Sequence, residues 1–189
     1  MLSKLGEDVK NSITGTISSA ADIVASVRDN TKNLILTTLK QTGEVTTSTV
    51  GVVEDVVSGT IAAIVHSGKS VTDGTSQVVS SAIEAVSETG GDVANAAKDA
   101  SVGAIRGVAD VGGNIGEVGV SAVEGSIHAA GKIGADSGKL ATEAVVGVIK
   151  AADEVGSEAG NTVRKALLNS AALPRQIIEA AISGKPDQK

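Results

Sequence analysis

Cut into rows of 22 residues, the chain from residue 16 to residue 169 aligns with itself seven times without a gap. The row AIEAVSETGGDVANAAKDASVG (82 to 103) sits above AIRGVADVGGNIGEVGVSAVEG (104 to 125), and the pattern continues on both sides. The second place of every row is a large aliphatic residue: Ile17, Leu39, Ile61, Ile83, Ile105, Ile127 and Ile149. From the third row onward the ninth place is glycine: Gly68, Gly90, Gly112, Gly134 and Gly156. A repeat this regular means that the chain builds one local unit many times over, and that each unit finds its contacts in something equally regular.

Twenty-two is twice eleven, and eleven residues close three helical turns at about 3.67 per turn. Polar residues recur at steps of three and four, as in Arg106, Asp110, Asn114, Glu117, Ser121 and Gly125, then His128, Lys132 and Asp136. Opposite them runs an apolar face with members such as Ile105, Val108, Val111, Ile115, Val123 and Val145, covering roughly half of a helical cylinder. The pattern predicts an all-α, non-globular fold: one long amphipathic helix, or helices stacked from the 22-residue repeats. A rod of seven rows at 1.5 Å per residue would exceed about 200 Å; folding back at glycine pairs such as Gly90-Gly91 and Gly112-Gly113 fits the pattern too. The rival is a β-solenoid, whose coils can also take about 22 residues. It lacks the required alternation and is most tempting at residues 42–60, where β-branched residues are dense.

The repeats divide the chain into a lead-in (1–15), the repeat region (16–169), a short C-terminal amphipathic helix (170–184) and a flexible tail (185–189). Asn169 and Ser170 are suited to capping a new segment, Pro174 to its first turn, and Gly184 and Pro186 to stopping it.

Composition decides what the apolar face can do. Phe, Trp, Tyr and Cys are absent and Met occurs once, so the apolar residues are Ala, Val, Ile and Leu, without large anchors for a conventional core. A helical glycine costs about 0.8–1 kcal/mol relative to alanine, so the glycine-rich rows need their apolar face covered to be stable. The ninth-place glycines Gly68, Gly90, Gly112, Gly134 and Gly156 read as points of close helix packing. Gly103/Gly107, Gly112/Gly116, Gly134/Gly138 and Gly156/Gly160 also form GxxxG pairs.

Several functions are disfavoured. The net charge of −6 comes from interspersed charges, with neither the basic face nor the stacking aromatics that nucleic acid requires. His66 and His128 lie on the polar stripe without a metal-ligand spacing, Glu88 and Asp92 form an ordinary acidic pair, and no phosphate-binding loop is present. No catalytic residues, metal site or cofactor are expected, and the chain reads as a non-enzyme. Without a signal-like leader or a spanning apolar run, a cytoplasmic location is expected, peripheral on a membrane or granule surface.

In period and face, residues 16–169 resemble the amphipathic repeat proteins with 11- and 22-residue periods: the exchangeable apolipoproteins, synucleins and perilipins. The resemblance implies helices that coat a lipid surface while lying in its interface. The recurrent aliphatics, with Val123 and Val145, are then the lipid- or partner-contacting residues. Lacking a KTKEGV-like core and flanking lysines, the chain suits neutral droplets, packing defects or storage granules better than anionic membrane. The alternative is self-assembly, with copies packing through the small-residue face as a homo-oligomeric bundle, tube or filament. A third reading, a desiccation- or ice-protective helix, draws on Thr38, Thr49 and Thr60 at spacing eleven.

Overall fold

Eighteen residues at 3.6 per turn make five whole turns, so a helix of that length begins and ends on the same side of its axis, and four further residues can reverse the chain. The repeat divides in this way. A computed structural model describes residues 3–17, 23–42, 49–68 and 70–184. Its helices are α1 (Lys4–Ile17), α2 (Ile23–Thr42), α3 (Thr49–His66), α4 (Val71–Glu88), α5 (Val93–Asp110), α6 (Ile115–Ile133), α7 (Ser137–Val155), α8 (Ser157–Asn169) and α9 (Arg175–Ser183). From α3 to α7 the helices begin at residues 49, 71, 93, 115 and 137, each 22 after the last.

The chain is all-helical, but it is not a rod. The ninth-place glycines end the helices: Gly68, Gly90, Gly112 and Gly134 adopt φ of 67°, 73°, 69° and 71°, a left-handed conformation that a Cβ disfavours. Beyond them the next amide reaches back to the helix, from Gly91 N to Val86 O (3.0 Å), Gly113 N to Val108 O (3.0 Å) and Ala135 N to Ala130 O (3.0 Å). These are Schellman closures, which satisfy carbonyls at the helix end. One residue later an N-cap opens the following helix. Asp92 Oδ1 accepts from Ala94 N and Asn95 N, Asn114 Oδ1 from Gly116 N and Glu117 N, and Asp136 Oδ1 from Lys139 N. Such caps contribute about 1 kcal/mol each.

The helices stack in two layers. The odd-numbered helices pack in sequence, α1 on α3 on α5 on α7 on α9, and the even-numbered ones likewise from α2 to α8, while consecutive helices pack across the layers. Within a layer the neighbours run parallel and approach through glycine. A Cβ on Gly125 would lie 2.5 Å from Ser76 O, and one on Gly147 2.5 Å from Lys98 O; Gly103 and Gly107 face Glu54 O and Ser58 O in the same manner. Each pair is 49 residues apart, so one rule of register serves both layers. Bare Cα carbons against carbonyl oxygens permit the close Cα–H···O approach that larger residues forbid.

The apolar face therefore finds its cover inside the chain. Ile35, Val53, Ile61, Ile83, Ile105, Val123 and Val145 are among many residues that are wholly buried in a single continuous core.

Several expectations change. Residues 4–15 of the expected lead-in are helical and belong to α1, which runs on to Ile17, with Val9 and Ile13 in the core. Ser121 and Gly125, assigned to the polar stripe, are buried, because the stripe crosses a helix seam there. Residues 49–60 of the β-branched stretch are helical, within α3, and the described residues contain no strand; residues 43–48 and the tail 185–189 lie outside them. Pro174 precedes α9 as its N-cap residue, and Gly184 ends that helix at φ 65°.

Candidate interaction surface

The repeated aliphatics do not form one outward face. Leu39, Ile61, Ile83, Ile105, Val123 and Val145 are buried between helices, and Ile127 and Ile149 are half-buried against the same core. Ile17 ends α1, and its side chain lies outside the described residues. The expected lipid-facing set is thus brought together, but as an interior.

The ninth-place glycines are not packing points. Gly68, Gly90, Gly112, Gly134 and Gly156 have nothing within 4 Å of where a Cβ would stand. Gly156 alone separates α7 from α8. Close packing belongs instead to the row's last place, Gly59, Gly103, Gly125 and Gly147, and to Gly107. Of the four GxxxG pairs, Gly103/Gly107 sets both members on a neighbouring backbone, while Gly112, Gly134 and Gly156 stand in turns. The legible signal for the turns was the triplet of glycine, small residue and Asp or Asn: Gly90-Gly91-Asp92, Gly112-Gly113-Asn114 and Gly134-Ala135-Asp136.

The polar stripe resolves into charge pairs between parallel neighbours. Arg106 on α5 joins Glu54 on α3 and Glu154 on α7, the latter at 2.8 Å. Lys132 on α6 holds Glu84 on α4 at 2.8 Å, and Lys32 on α2 holds Glu88 on α4 at 2.5 Å. The bond from Arg106 holds the Glu154 carboxyl below its ordinary range. At Glu84 burial pushes the carboxyl up, but hydrogen bonds from Lys132 and Ser80 outweigh it and the net shift is downward. Arg164 grips both oxygens of Asp153, at 2.7 and 2.6 Å, and lowers its pKa as well. Exposed pairs of this kind contribute little apiece, roughly 0–1 kcal/mol, and fix register more than stability. Asp99 differs: burial beside the α5–α7 seam pushes its carboxyl up to about 6, against the pull of Lys98 and Lys150.

Glu88 and Asp92, expected to share a helix, end α4 and cap α5 respectively. His66 and His128 are exposed, and among the described residues no group of His, Cys, Asp and Glu could hold a metal. Thr60 is buried and donates to Val56 O, so the threonine series does not lie on one open face.

Apolar surface left open among the described residues gathers toward the C-terminal end of the stack. Val146 and Val155 on α7 are 37% and 50% exposed, and Leu168 on α8 is 36% exposed. A cleft of about 520 Å³ runs between α7 and α9, lined by Val146, Ile149, Lys150, Asp153, Glu154, Ala181 and Ile182. A second, of about 440 Å³, lies on the other side of α7, against α5, among Arg106, Ala109, Asp110, Ala151, Glu154 and Val155. No helix among the described residues is long and apolar enough to cross a membrane. No family model matches the sequence, and no curated protein matches it closely enough to count as a relative.

Proposed function

We propose that this chain is a non-enzymatic structural protein whose amphipathic helical repeats coat or scaffold a lipid surface, and that the two-layer stack is the form in which it keeps its apolar faces before it meets one. The observation that carries this reading is that most of the apolar surface of the described helices is covered by other helices of the same kind. Hydrocarbon is as apolar as the aliphatic side chains that supply this cover, so spreading the helices on lipid would retain most of the burial. Glycine turns permit the change, and with no cysteine in the chain no disulfide opposes it. The absence of aromatic anchors and of a basic flank favours a neutral surface.

The test is co-flotation of the full chain with neutral phospholipid vesicles and with triglyceride emulsion. It should be run before and after carbodiimide stapling of the Lys132–Glu84 and Lys32–Glu88 pairs, which ties α6 to α4 and α2 to α4. Binding that the staple abolishes is the expected result. If the unstapled protein stays with the aqueous fraction in both mixtures, lipid coating is not its function.

A second reading, self-association, is favoured by a separate observation: the exposed aliphatics Val146 and Val155 on α7, toward one end of the stack. On this reading the chain is a finite building block that pairs through that end.

A further inference from the structure

We propose that the outer face of the second half of α7, with α9 beside it, is the surface through which two copies of this chain pair about a two-fold axis. This rests on the self-association reading and names its surface. In the odd-numbered layer each helix is covered by the next. On α5, under α7, Val102 is 7% and Ile105 0% exposed. Forty-four residues later Val146 and Ile149 hold the corresponding places on α7. The helix that follows there, α9, has nine residues against nineteen in α7. Val146 is consequently 37% exposed and the 520 Å³ cleft lies open beside it. The cleft continues a packing surface that already runs from α1 to α7.

Charge indicates what fills it. Lys150 occupies the place in its row that Arg106 and Glu84 occupy in theirs, and each of those binds an opposite charge on a neighbouring helix of its layer. Among the described residues Lys150 has no carboxylate at ion-pair distance and feels only the longer-range attraction of Asp99 and Glu154. The same ridge carries Glu154 one turn on, which accepts from Arg106 through Oε2. A carboxylate offers about four acceptor sites, so Glu154 can take a second donor. With α7 antiparallel to α7 of a second copy, Lys150 of each stands against Glu154 of the other. The pairing forms twice by symmetry, with Val146 one turn from Lys150 on the same ridge, at the edge of the contact. A surface whose cation and anion lie one turn apart on one ridge is complementary to itself, as an isologous contact requires.

The test is sedimentation velocity of the full chain up to about 0.1 mM, which fills an interface of micromolar Kd. Wild type, Val146→Glu, Lys150→Glu and Leu168→Glu would be compared, with circular dichroism melts to establish that each variant is folded. All three positions are exposed, so the helices should persist. The expected result is a wild-type dimer that Val146→Glu and Lys150→Glu each weaken by about tenfold or more, and that Leu168→Glu leaves intact. A monomeric wild type would overturn both this surface and the self-association reading. A wild-type assembly that Val146→Glu and Lys150→Glu leave unchanged, or that Leu168→Glu abolishes, would overturn this surface while leaving self-association standing.

Discussion

In the turns, Gly68, Gly90, Gly112 and Gly134 stand at positive φ with open space where a side chain would be; on the seams, Gly103, Gly125 and Gly147 stand in regular helix with a neighbour's carbonyl where a side chain would be. Both series recur every 22 residues, and both read as glycine in an amphipathic helix. The first is needed for a backbone angle, the second for volume. The difference shows that residue type and spacing do not identify the physical demand behind a repeat position. A turn glycine answers to its own φ, and a seam glycine to an atom 49 residues away.

The sharpest way to break this comparison is to add volume at each kind of site. Gly125→Val forces side-chain carbons into the space of Ser76 O, which is backbone and cannot swing aside. It should cost about 3 kcal/mol or more, seen as a large drop in the urea midpoint; a change below about 1 kcal/mol would mean the α4–α6 seam is not this close. Gly134→Ala meets nothing, but it places a Cβ at φ 71°. The expected loss is roughly 1–2 kcal/mol, without loss of cooperativity in the melt.

A third glycine sharpens the contrast by reversing sign. Gly131 lies within α6, away from any neighbour and without a positive φ. There Gly131→Ala should stabilise by about 0.8–1 kcal/mol, the ordinary helix-propensity gain. A destabilised Gly131→Ala protein would count against a helical, uncovered position.

An effect of similar size belongs to Asp99, on the seam where Gly147 meets Lys98 O. Its folded-state pKa of about 6 lies above the ordinary value of 3.8. The folded state therefore binds this proton more tightly than the unfolded chain. Asp99's contribution to stability should rise as pH falls from 7 through 6 and level off near 4. Asp99→Asn should raise Tm at pH 7 by a few degrees, as about 1 kcal/mol does in a protein of this size, and remove that part of the pH dependence. Equal wild-type and variant melting profiles from pH 7 to 5 would show that the carboxyl is not held in a desolvated seam.

Helical class and the identity of the core are legible in the amino-acid pattern. The second-place aliphatics Ile61, Ile83 and Ile105 lie in the interior because any fold of this pattern must cover them. The turns are less legible because of an arithmetic coincidence. Twenty-two residues of unbroken helix make six turns and about 40° more, so a pattern that restarts after each turn keeps nearly the phase of one that never stops. Asp92, Asn114 and Asp136 fall in step with the polar stripe while serving as N-caps. Ser121 and Gly125 fall on it while lying in a seam. The charge pairs show the same limit: 48 residues separate Glu84 from Lys132 and Arg106 from Glu154, a distance that means nothing until the layers are known.

By itself the sequence determined that this chain is helical, that its helices are amphipathic in one repeated register, and that they lack the aromatic bulk for a conventional core. These follow from composition and from periodicities within a few turns, where the backbone's own geometry is the only ruler required. The tertiary structure decided what covers the apolar face and which glycines turn the chain rather than join it. Those answers depend on atoms about fifty residues apart meeting at van der Waals distance, and a one-dimensional period does not contain the fold-back that brings them together.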